Sequence, residues 1–234
     1  MSGDAKIECL EDLRRKILSM DLAPGTDLDE ATLSAAYGIS RTPLREILQH
    51  LAGKGYIHLE ARRGAKVASM DLTVLRTFFQ TAPMIYANIA FMAATHRTQA
   101  QLDTLIALQE SFAQATAKSD AASAAFLNHR FHEQIGEMAH NPYLMACLDR
   151  LLIDHTRLSQ TFYRPVAPSE SMLVTKAVEQ HDAMIAAFQA GEPALAMDLT
   201  LQHWDLSRDR MERYVRPDPL PIDIVAFKDR RDAV

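Results

Sequence analysis

Two arginines and three histidines carry most of the chemistry legible in this 234-residue chain. Arg41 and Arg45 are four apart in the run Gly38-Ile39-Ser40-Arg41-Thr42-Pro43-Leu44-Arg45-Glu46. On a helix that spacing puts both on one face. A guanidinium can give guanine O6 and N7 two hydrogen bonds, and recognition helices offer their N-terminal residues to base edges. Thr42 is short enough to reach a phosphate or a thymine methyl. The second set is His132, His181 and His203. Asn128 precedes His132 by about one helical turn, so both share a helix side. His181 and His203 flank the short link Gly191-Glu192-Pro193 at similar distances, which brings them to one height in antiparallel neighbours. Three imidazoles and an amide oxygen at one point suit a first-row divalent ion with open positions. His50, His58, His96, His129, His140 and His155 read as ordinary core or surface residues.

The elements that must hold these groups follow from periodicity. Lys6 to Met20 predicts an amphipathic helix with Ile7, Leu10, Leu13, Ile17 and Leu18 on one side. Ala23-Pro24-Gly25 ends it. Asp29 caps a second helix to about Tyr37, with Leu33 and Ala36 inward. A third helix runs from Arg41 to about Gly53 with Ser40 as its N-cap, Pro43 in the first turn, and Leu44, Ile47, Leu48 and Leu51 toward the core. Residues 56–59 and 65–68 alternate as two short strands around an Arg62-Arg63-Gly64 turn. Three helices and a hairpin make a winged helix-turn-helix over residues 1–70.

From Leu72 the pattern is helical throughout, at about 72–95, 99–118, 121–139, 142–163, 169–190 and 193–215. Asp71 caps the first of these, Thr98 with Gln101 fits a capping box, and Asn141-Pro142 and Gly191-to-Pro193 fit stops and restarts. The expected fold is therefore mainly α: the winged head, an all-α bundle of about six helices over 71–216, and a proline-containing tail over 217–234.

Composition excludes several classes. The net charge of −5 conceals a basic segment: residues 1–40 sum to −4, residues 41–70 to +4 and the remainder to −5. A local patch, not the global balance, decides phosphate binding. Cys9 and Cys147 lie far apart and form no redox or metal pair, which points to a reducing, cytoplasmic setting. No signal peptide is read, because Asp4, Lys6, Glu8, Glu11 and Asp12 break any apolar run. Thr77 to Thr95 carries no charge, yet Gln80, Pro83, Asn88 and its alanines favour a buried core helix over a membrane span.

Over Leu13 to Val67 the chain resembles the GntR family of bacterial regulators, through Leu22-Ala23-Pro24-Gly25, the Ser40-to-Glu46 run and Arg62-Arg63-Gly64-Ala65-Lys66-Val67. The resemblance implies that Arg41 and Arg45 read bases, that Ser40 and Thr42 support them, and that Arg62, Arg63, Gly64 and Lys66 form a wing against the minor groove or backbone. The family pattern has an arginine after the second helix's glutamate; Ala31 follows Glu30 here, so that phosphate contact is not expected. The bundle resembles the FCD ligand-binding domain of FadR-type members through Phe131-His132, Asn141-Pro142, His181 and His203. That likeness implies a divalent metal, Zn²⁺ or Ni²⁺, on Asn128, His132, His181 and His203, with an organic acid effector completing the coordination. Asn128 stands where most relatives have aspartate, and Ala82 and Tyr86 stand where they have arginine and glutamate. Arg157 or Tyr163 is then expected to hold the effector. A homodimer on a palindromic operator follows from the two-fold symmetry of such readers. Two other classes compete: a metal-dependent hydrolase and a bundle that only dimerises. No HExxH motif, phosphate loop or obvious general base supports an enzyme.

Overall fold

The computed structural model describes residues 3–60 and 64–213, with side chains over 5–60 and 64–206. Arg62, Arg63 and the tail from residue 217 lie outside the described residues.

The head consists of α1 (Gly3–Leu18), β1 (Asp27–Leu28), α2 (Glu30–Tyr37), α3 (Arg41–Lys54), β2 (Ile57–Glu60) and β3 (Gly64–Val67). Cys9, Leu13 and Ile17, four apart, form the buried stripe of α1 and meet Leu44, Ile47, Leu48 and Leu51 of α3. Ile7 was expected in that stripe but is 62% exposed. It sits two residues before Cys9, about 200° round the helix. Ala36 is also exposed rather than inward, and only half-buried contacts such as Leu33 and Tyr37 hold the short α2. Asp29 caps α2 by accepting from Thr32 N at 2.7 Å.

The sheet has one strand more than the sequence suggested. Its order is β1-β3-β2, all antiparallel, with Asp27 opposite Lys66 and His58 opposite Lys66 on the other side. A two-residue strand carries no periodicity to read, and only its ladder with β3 defines it. Gly64 opens β3 at φ 88°, where a Cβ would come 3.1 Å from the Leu28 carbonyl. The close approach of β1 therefore calls for glycine.

The second domain is all-α: α4 (Leu72–His96), α5 (Gln99–Ala117), α6 (Ala121–Met138), α7 (Pro142–Phe162), α8 (Pro168–Ala190) and α9 (Pro193–Arg213). The expected caps are in place. Asp71 accepts from Thr73 N and Val74 N, and Thr98 and Gln101 form the reciprocal box. Asn141, read only as a break between helices, also caps α7, accepting from Tyr143 N and Leu144 N. The uncharged stretch 77–95 lies in α4, where Phe78, Ala82, Tyr86, Ile89, Ala90 and Ala93 are buried. No helix among the described residues is long and apolar enough to cross a membrane. In the bundle α4 lies on α9, α5 on α6 and α8, and α6 on α7. Gly136 lets α7 approach α6, because a Cβ there would meet Leu148 Cδ2 at 2.4 Å and Met145 Sδ at 2.7 Å.

One helix joins the domains. Ile153 of α7 belongs to the core of the head, Gln160 Nε2 donates to Leu18 O at 3.3 Å, and Lys54 pairs with Asp149 at 3.1 Å.

Candidate nucleic-acid interface and metal centre

Arg41, Thr42 and Arg45 are exposed on the first turns of α3. Ser40 occupies the N-cap position in extended conformation, but its side chain makes no capping bond, contrary to the expected role. Arg45 Nε donates to Glu30 at the start of α2, 3.0 Å away. Such an exposed pair contributes about 0–1 kcal/mol, whereas a bidentate guanine contact discriminates by about 1–3 kcal/mol. The pairing therefore orients Arg45 without withholding it. Between α3 and the wing runs a groove of about 530 Å³ lined by Glu30, Arg45, Gln49, Leu59, Glu60 and Gly64 among others. Lys66 lies between two carboxylates, Asp27 at 3.3 Å and Glu60 at 3.5 Å. Its charge is thus locally offset.

The histidines meet as the sequence predicted. His132 from α6, His181 from α8 and His203 from α9 are all buried, with ligand nitrogens within 4.8 Å of one another. His181 Nε2 and His203 Nε2 are 3.3 Å apart. Phe131 stacks on His181 with ring centres 3.8 Å apart and fixes the ring plane. Burial holds all three imidazoles neutral: His203 is lowered to about 4, and His132 and His181 well below their ordinary value, with neighbouring rings adding to the effect. Neutral imidazole is the form that ligates metal. On α6, Asn128 Oδ1 and, one turn further on, His132 Nε2 are buried without a hydrogen-bond partner. Orphaned acceptors of this kind cost about 1–3 kcal/mol each. They fit a cation, which both could ligate.

Several neighbours were not legible in advance. His155, read as ordinary, lies with its ring 5.2 Å from that of His132, and Tyr86 OH is 2.8 Å from its Nδ1. Burial first, then the neighbouring His203 ring, lowers His155 to about 3. Trp204 closes the same wall, 5.5 Å from Tyr86. Gln109 of α5 lies against His181. Its signal was present: it follows Leu102 and Leu105 and precedes Phe112 on the buried stripe of α5, a polar residue where an apolar one is due. His129 faces elsewhere, with Nδ1 2.6 Å from Thr156 Oγ1.

The two expected effector ligands, Arg157 and Tyr163, stand in different surroundings. Arg157 is 1% exposed and its two terminal nitrogens are committed, Nη1 to Ala68 O at 2.8 Å and Nη2 to Asp154 at 2.5 Å. It ties α7 to the segment joining the domains rather than waiting as a free cation. Tyr163 caps α7 and packs edge-on against Phe112 and Phe162. It lines a separate surface cavity of about 660 Å³ that includes none of the three histidines. Ala82 is buried and supplies no charge to replace the arginine of the family pattern.

A winged head with exposed arginines on α3, joined to an all-α bundle, defines a DNA-binding transcription regulator. The model of bacterial regulatory proteins of the gntR family matches residues 8–67, and that of the FCD domain matches residues 79–206. The chain belongs to the GntR family and carries the FCD domain. It is similar to the transcriptional repressor RspR of Escherichia coli, 26% identical over 76% of this chain and 75% of the relative. It is also similar to the gluconate operon repressor of Bacillus subtilis, 24% identical over 86% and 82%. The solved structure of E. coli McbR/YncC shares the fold, with a TM-score of 0.77 at 19% identity over 92% of this chain and all of that one.

Proposed function

We propose that this regulator is a cytoplasmic, homodimeric repressor whose grip on a palindromic operator is controlled by a small organic anion, bound at a divalent metal on Asn128, His132, His181 and His203. The E. coli relative RspR and the B. subtilis gluconate operon relative are both transcriptional repressors. The observation that carries the sensing half is the cluster of three buried imidazoles, ligand nitrogens within 4.8 Å of one another. The orphaned Asn128 oxygen lies one helical turn before His132 on α6. Zn²⁺ and Ni²⁺ both suit such nitrogen-rich donors. Because amide and imidazoles are all neutral, the ion keeps its full charge in a buried place, which draws an anion to the open positions. Arg41 and Arg45 are the base readers, Ser40 and Thr42 their supports, and Gly64 and Lys66 the described part of the wing. The uncharged exposed strip Gln80, Met84, Asn88, Phe91 and Thr95 on α4 offers a face for the second protomer.

The test is elemental analysis of protein purified without chelator, followed by DNase footprinting upstream of its own gene with small mono- and dicarboxylates. Metal bound by the wild type and lost from His132→Ala/His203→Ala supports the reading. Equal metal in both would sink it. A monomer by analytical ultracentrifugation at micromolar concentration would overturn the two-fold arrangement.

A further inference from the structure

Gln109 is 4% exposed and lies among apolar neighbours on α5. All its polar atoms are used. Its amide nitrogen donates to Val178 O at 3.0 Å and to Asp182 Oδ1 at 2.9 Å, and its oxygen lies 3.0 Å from His181 Nδ1. The two acceptors settle which end of the amide is which. Turned over, it would set oxygen against two oxygens. The oxygen therefore faces His181, and His181 must carry its proton on Nδ1 to donate there. His181 Nε2 is left as a lone pair, 3.3 Å from His203 Nε2. Gln180 Oε1 stands in the same relation to the other ring, 3.1 Å from His203 Nδ1.

We propose that Gln109 is a positioning residue for metal, fixing the tautomer of His181 so that its Nε2 lone pair is turned to the shared ion, with Gln180 as its counterpart on His203. The proposal rests on reading the three histidines as a metal site. With both Nδ1 protons given to glutamine oxygens, two lone pairs confront one another, and His132 Nε2 beside them has no partner. Like ends repel, and a divalent cation relieves them. Without Gln109, His181 is free to move its proton to Nε2 and donate it to His203. That closes a hydrogen-bonded pair with no place for an ion. Outer partners that orient a ligating histidine typically change metal affinity by about 10–100-fold when removed.

The experiment uses the full chain, stripped with chelator and titrated with Ni²⁺ and Zn²⁺ by calorimetry. The variants are Gln109→Met, similar in length without the acceptor, the exposed control Gln114→Met, and the swap Gln109→Glu/Asp182→Asn. The swap restores an oxygen to His181 and a donor between the two side chains. We expect affinity to fall about 10–100-fold in Gln109→Met, to hold in Gln114→Met, and to recover in the swap. ¹⁵N-histidine spectra of the stripped wild type should place the His181 proton on Nδ1, a readout that stands even if Gln109→Met fails to fold. A His181 proton on Nε2 overturns the proposal. So does unchanged affinity in Gln109→Met, which leaves the metal reading standing. No metal binding by any of these proteins, wild type included, removes both.

Discussion

Arg45 has two competitors for its guanidinium, the Glu30 carboxylate at 3.0 Å and any base edge offered in a major groove. The first is exposed and weak, the second directional, so truncation is felt on DNA and hardly in the fold. Arg45→Ala is expected to abolish protection of the specific operator while thermal melting moves by less than about 1 kcal/mol in stability. A retained footprint at ordinary salt would refute the placement of the reading helix. The cysteines make a second residue-level contrast. Burial, with Asp12 nearby, pushes the Cys9 thiol up to about 11, whereas Cys147 is exposed. Iodoacetamide on native protein should label Cys147 alone, and mass spectrometry of tryptic peptides reads the result. Labelling of Cys9 at comparable rate would show that α1 opens readily.

At the scale of elements, α7 has two faces with different duties. Ile153, Asp154, Arg157 and Gln160 address the head and the segment behind it, while His155 addresses Tyr86 and the histidine cluster. Any shift of α7 caused by an occupant of the cluster is therefore felt by the head through packed contacts. The contact of α6 with α7 depends on the absent side chain at Gly136. Gly136→Ala should cost about 1–3 kcal/mol, because Leu148 and Met145 must move aside. Chemical denaturation measures it, and a neutral result would mean that the two helices tolerate being parted. The caps on α2, α4 and α5 were legible because capping is local, needing only the residue and the next turn. Ser40 shows the limit: its position was readable, its bond was not.

For the molecule as a whole, the buried Arg157–Asp154 pair of α7 sits at the segment that connects the domains. Its guanidinium also holds Ala68 O, and Arg150 reaches the same aspartate at 3.0 Å. Arg157→Leu leaves Asp154 with Arg150 alone and Ala68 O without its donor, a loss of about 1–3 kcal/mol, or a Tm lower by roughly 2–12 °C for a chain of this size. The more telling readout is coupling. An effector changes DNA affinity only as far as it favours one domain arrangement over another. In Arg157→Leu the change in operator affinity caused by saturating effector should shrink several-fold, while metal content stays at the wild-type level. Full retention of that change, measured by fluorescence anisotropy, would mean that another contact carries the signal.

By itself the sequence determined the helices, the two-stranded hairpin, the arginines on the exposed start of α3 and the spacing of the three histidines, because these depend on periodicity, local caps and spacing along one or two helices. Asn128 and His132 share a turn, and His181 and His203 flank one short link; both facts survive without coordinates. What only the tertiary structure decided concerns residues from distant helices. His155 looked ordinary until α7 was laid against α4 and brought it to Tyr86, and Arg157 looked like a ligand although packing gives its Nη1 and Nη2 to Ala68 O and Asp154. The reason is physical. A side chain's type states which bonds it can make, but burial leaves it only the partners that packing brings within about 3 Å.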